Sequence, residues 1–230
     1  MPAPWLVALS WVSLAVGFAC ALWLVVEVVG PRRPQMPVMA VVWPVTALYL
    51  GPVAVWGHRR FGRPARPGRG DQDGRAAPPS KPGWASVGVG VSHCGAGCTL
   101  GDIAAEFAVF GLGLTIAGTA LWAEYVGDFV LALALGIVFQ YFAIAPMRGL
   151  GVRDGLRAAA KADVLSLTAF EVGLFGWMAL MAFVFFPEPH RLGPDSAVYW
   201  FLMQVGMVVG FATAWPVNAW LIRRGIKEAM

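Results

Sequence analysis

Long apolar stretches separated by short polar connections dominate the chain. A helix crosses the hydrocarbon of a bilayer with about 20 mostly apolar residues. Six stretches meet that requirement: 5–29, 36–56, 99–121, 128–147, 164–187 and 197–222. The pattern predicts an all-α, polytopic membrane helix bundle of six transmembrane helices. Residues 58–83 have a different composition, rich in Arg, Pro and Gly and without apolar periodicity, and read as a disordered cytoplasmic loop. This divides the chain into two N-terminal spans (1–57), the loop (58–83) and a four-helix core (84–230). A further short helix is expected on the cytoplasmic surface, where residues 150–163 alternate charge with alanine.

Charge sets the expected orientation. Lys and Arg favour the cytoplasmic side of short loops. With the N-terminus inside, fourteen of them fall in cytoplasmic segments, and Arg32, Arg33 and Arg191 fall outside. Both ends are therefore expected in the cytoplasm of a bacterial cell, with the protein in its inner membrane. Composition supports the membrane assignment. Of the 230 residues 58% are hydrophobic and 13% charged, and mean hydropathy is +0.66, whereas soluble domains carry about a quarter charged residues. The net charge of +4 resides in connections, with no aromatic-basic surface, so nucleic acid is not expected as a partner. The lipid bilayer is the expected partner, and oligomeric state is left open.

The chemistry concentrates in Ser92-His93-Cys94-Gly95-Ala96-Gly97-Cys98-Thr99-Leu100-Gly101-Asp102, followed by Glu106. Two thiols beside an imidazole form a soft ligand set for Cu(I) or Zn, or a redox pair. As one helix, 94, 98, 102 and 106 would form a stripe. A helix from 92 to 121 would, however, be about 45 Å long, and Thr99-Leu-Gly-Asp102 resembles a helix-starting capping box. On that reading His93, Cys94 and Cys98 belong to a Gly-rich loop at the cytoplasmic mouth, with Asp102 just inside. Ionisable groups in lipid face a bundle interior or a path. Glu106 and Glu171 are the deepest, with Gln140 and Asn218 able to share their space, and Asp163 reads as a surface partner of Lys161. Met203 and Met207 extend the sulfur set as a relay, and Met36 and Met39 form an outer uptake point. Gly97-xxx-Gly101 and Gly206-xxx-Gly210 read as close helix packing within one chain.

The segments 93–102 and 139–148, Lys161-Ala-Asp163, 170–178, 200–207 and 215–230 resemble the bacterial membrane family catalogued as domain of unknown function 4396. That resemblance covers roughly 84–230 and implies a multipass membrane fold with no established activity. Three functional readings follow from the residues. The first is transport or handling of a soft metal ion such as Cu(I), with copper or zinc as the bound species. The second is a membrane-embedded thiol-disulfide oxidoreductase using Cys94 and Cys98. The third is a proton-coupled small-solute carrier using Glu106 and Glu171. No phosphate-binding loop or catalytic constellation marks the chain as an enzyme.

Overall fold

The computed structural model describes residues 2–30, 36–62, 82–149 and 151–227. The helices are α1 (Pro4–Val29), α2 (Met39–Leu50), α3 (Pro52–Gly57), α4 (Gly83–Leu112), α5 (Ala120–Arg148), α6 (Val152–Leu180) and α7 (Ala197–Arg223). Single π-helical turns, His58–Gly62 and Met181–Phe185, extend α3 and α6. Among the described residues no strand forms beyond one isolated bridge, Ile116 to Thr119. The protein is an all-α bundle, and α1, α4, α5, α6 and α7 are long and apolar enough to cross a membrane. Arg32, Arg33 and most of the predicted loop at 58–83 lie outside the described residues.

The stretch read as the second span is not one helix. α2 has twelve residues, about 18 Å at 1.5 Å per residue, too short to cross. It stops at Gly51, whose φ of 51° and ψ of −124° suit a residue without a side chain. Pro52 then opens α3, where its fixed φ and missing N–H fit a helix start. The chain reverses here. His58 returns to Trp43 with ring centroids 5.4 Å apart, and a Cβ on Gly57 would lie 3.4 Å from the Trp43 ring. A straight continuation would separate residues 43 and 58 by about 22 Å. The tip of this helical hairpin rests on the middle of α1, where Gly17 approaches the Leu48 carbonyl and Val16 faces Gly51. Its far end reaches the close of α1, where the Arg59 guanidinium lies 4.4 Å from the Trp23 ring. It also reaches the start of α4, where Trp56 stacks on Trp84.

Three expected boundaries shift for physical reasons. α4 is continuous for 30 residues, so the glycines at 95, 97 and 101 lie inside a helix and serve packing. Added Cβ atoms would meet Tyr49 and Phe170 at Gly95, the Gly136 backbone at Gly97 and the Ala132 backbone at Gly101. The approaches at Gly97 and Gly101 join α4 to α5, the most extensive helix pair in the bundle. Thr99 does not cap a helix; its Oγ1 donates to the Gly95 carbonyl one turn back at 2.7 Å. Gly206 and Gly210 serve α6–α7 packing in the same way, against Trp177 and Phe170. The predicted surface helix at 150–163 is the first part of α6, and α5 begins eight residues before Asp128.

The core has two parts. One, built on Phe170, Leu167, Leu174 and Met203, packs α4, α6 and α7 and includes Cys94 and Cys98. The other, around Leu24, Val42 and Trp43, seats the hairpin on α1 and the first half of α4. α1 keeps its other face for lipid, with Trp5, Trp11, Phe18, Leu22 and Val26 exposed.

Candidate functional site

α4 carries the polar groups inward because its closest neighbours leave no other direction. Gly97 and Gly101 bring it against α5, and the stripe at 94, 98, 102 and 106 then falls inside the bundle. Cys94, Cys98 and Asp102 have no exposed surface, and Glu106 is 1% exposed. α5 adds Asp128 and Glu124, α6 adds Glu171 and α7 adds Tyr199, all buried. Asp102 lies within electrostatic range of Glu171, Asp128 and Glu106. Asp128 senses Glu106, Glu171 and Glu124, and Glu106 faces Tyr199 and Asp128. Glu171 meets the Cys98 thiol. The carboxyl oxygens of Asp102, Glu106, Asp128 and Glu171 have no close hydrogen-bond partner among the described residues.

Each end of this line is closed by a cation. Arg191, in the α6–α7 connection, pairs with Glu124. At the other end Gly225, with φ of 66°, turns the chain after α7, and the Ile226 amide donates to the Leu221 carbonyl at 3.0 Å. Lys227 is thereby folded into the bundle, 1% exposed. Its ammonium donates to Asn218 Oδ1 at 2.8 Å and to Ser166 Oγ and the Gly90 carbonyl at 3.3 Å. Asp163 Oδ1 is 3.7 Å away. From Gly90 to Glu106 the polar side of α4 rises about 24 Å, most of a hydrocarbon core of about 30 Å.

Several expectations change. His93, Cys94 and Cys98 are at the middle of a long helix, not in a loop at the rim, and all three are fully buried. The His93 ring lies a residue away from the thiol stripe and faces Phe139. Asp163 is not a surface partner of Lys161; it is fully buried opposite Lys227. Asn218 joins the Lys227 network instead of the carboxylates, and Gln140 is fully buried on α5. Met39 and Met36 pack in the hairpin core, whereas Met203 and Met207 belong to the other core. Among the described residues no three His, Cys, Asp or Glu side chains come together as a metal cage.

Asp128, Glu124, Tyr199 and Lys227 were not singled out from the sequence. Glu124 and Asp128, one helical turn apart at the head of an apolar run, are the available signal. Lys227 resembled an ordinary cytoplasmic tail charge, and no local pattern reveals that a turn at Gly225 buries it.

No curated protein and no solved structure matches the chain. The model of the family described as "Domain of unknown function (DUF4396)" matches residues 83–227. The chain belongs to that family, and the match spans α4 to α7 with the buried carboxylates and Lys227.

Proposed function

Taking membership of this family as the premise, we propose that the protein is a multi-pass component of the bacterial cytoplasmic membrane that moves protons through its bundle, coupled to a small solute. The observation that carries this reading is the shared, buried space of Asp102, Glu106, Asp128 and Glu171. Ionisable groups are costly in lipid and are found where ions or protons pass. A proton can step between neighbouring carboxyls with little reorganisation. Glu124 and Arg191 stand toward one surface, and Asp163 with Lys227 toward the other. Coupling to a solute keeps such a path from acting as a simple leak.

The hairpin supports an orientation. α2 and α3 enter and leave at one end of the bundle, so five helices cross and the Pro4 end of α1 lies opposite the Arg223 end of α7. The segments that begin and finish at the Arg223 end hold sixteen Lys and Arg, and the opposite end holds Arg191 alone. By the positive-inside rule the Arg223 end is cytoplasmic and Pro4 is outside. On this arrangement Arg32 and Arg33, expected outside under the six-span reading, count with the cytoplasmic charges.

The test is reconstitution in liposomes with an imposed pH gradient and an internal pH-sensitive dye. With a panel of small organic solutes added outside in turn, the wild type dissipates the gradient for at least one of them, while Asp128→Asn and Glu106→Gln stay at the level of protein-free vesicles throughout. Wild-type flux in both variants removes the reading.

Cys94 and Cys98 support a soft-metal reading as the alternative, because they lie one turn apart in a packed core that also holds Met207. Two thiols and a thioether suit Cu(I) better than Zn, whose structural sites take four ligands. Loss of copper from purified protein on replacing both cysteines with serine would favour it; equal copper content would end it. Thiol-disulfide cycling fits less well. Residues i and i+4 of a helix hold their Cβ atoms about 5–6 Å apart, beyond the roughly 3.5–4.5 Å of a disulfide.

A further inference from the structure

α1 packs on α2 and α7 and not closely on α4, and the wedge left between α1 and α4 is a cavity of about 380 Å³. That size falls within the roughly 300–1,000 Å³ of ligand sites. We infer that this cavity binds a lipophilic organic cation entering sideways from the bilayer. The identification as the carried solute rests on the proton-coupled reading; the binding itself does not.

The walls argue for the ligand class. Trp11 and Phe18 of α1 face Ile103 and Phe107 of α4 across the wedge, with Trp200 of α7 beside them. Trp11, Phe18 and Phe107 are 63%, 64% and 53% exposed, so the side opening faces lipid. Aromatic faces attract cations as well as apolar groups, by about 0.5–2 kcal/mol each. Asp195 is the one charged residue on the lining, which has no Lys, Arg or His among the described residues. An organic anion would meet a carboxylate and aromatic faces of the wrong polarity. A neutral lipid chain would leave Asp195 and the buried Tyr49 hydroxyl unused.

The placement also explains how cargo and protons could communicate. Ile103 and Phe107 follow directly after Asp102 and Glu106 on α4, so one wall of a single helix separates the cavity from the carboxylates. On α7, Trp200 lines the cavity while Tyr199 faces Glu106. A cation in the wedge would lie one residue from each half of the proton line.

The experiment is equilibrium binding of radiolabelled tetraphenylphosphonium to the full chain in detergent, without any gradient. Saturable binding near one per chain is expected. Tetraphenylborate, the same shape with opposite charge, should bind at least about tenfold more weakly. Ile103→Trp and Leu14→Trp, which fill the cavity from its two walls, should each abolish binding while the protein still elutes as a single species. Asp195→Asn should weaken it about fivefold. Equal affinity for the anion overturns the inference, as does unchanged binding in both filled variants, or a co-purifying lipid that the cation does not displace. Because no proton flux is measured, binding without flux in the liposome assay refutes the proton reading alone, and flux without binding refutes the cavity assignment alone.

Discussion

Replacing Lys227 with methionine tests whether the folded-back C-terminal turn is a structural lock. Methionine keeps most of the buried stem and removes the ammonium. The Asp163 carboxylate, fully buried and 3.7 Å from Nζ, then loses its counter-charge, and Asn218 and Ser166 lose a donor. At an effective dielectric near 20 the pair attraction alone is about 4.5 kcal/mol. Removing one partner of a buried pair typically destabilises by about 3–5 kcal/mol, whereas removing both is far milder. Lys227→Met should therefore lower stability by about 3 kcal/mol or more. The double variant with Asp163→Asn should be more stable than the summed single effects, with a coupling of about 2–3 kcal/mol. Reversible unfolding in mixed micelles, followed by tryptophan fluorescence, reads all four corners of the cycle. Strict additivity would refute the pairing, and an unchanged single variant would refute the burial of the ammonium.

The remaining predictions address packing, access and orientation. Gly101→Ala should cost about 1–3 kcal/mol by pushing α4 from the Ala132 backbone, while Gly111→Ala, with nothing within 4 Å, should stabilise by up to about 1 kcal/mol; similar effects at both sites in the same unfolding assay would contradict the α4–α5 contact. In a Cys20→Ser background, Cys94 and Cys98 should resist maleimide while folded and take up two labels per chain in denaturing detergent; rapid native labelling would mean they are accessible. Cysteines placed at residue 3 and residue 70 should be labelled from opposite sides of the membrane by an impermeant reagent. Labelling from one side would reject the five-crossing arrangement.

Composition and apolar run length made the helix bundle readable, because a water-excluding solvent demands the same residues in any packing arrangement. The hairpin was less readable, since a mostly apolar run of 21 residues at 36–56 satisfies the length rule whether or not it reverses. Gly51-Pro52 was the local signal, a breaker pair that run length alone ignores. α4 shows the opposite failure. Its glycines read as turn formers by propensity, yet the neighbouring backbones of Gly136 and Ala132 need a surface without side chains. Glu106 and Glu171 stand out because charge deep in an apolar run is rare. Asp128 does not, because it stands at the edge of an apolar run; nor does Lys227, whose burial depends on a turn formed after the last helix.

The reversal at Gly51 also constrains how this chain relates to a bare α4–α7 core. On the proposed five-crossing arrangement the segment from Pro4 to Gly62 contributes one crossing. Appending it leaves the orientation of the four core helices unchanged and carries the new leading end across to the other compartment. A tag or a partner-binding segment joined ahead of Pro4 would thus be displayed on the face opposite to one joined directly ahead of Gly83.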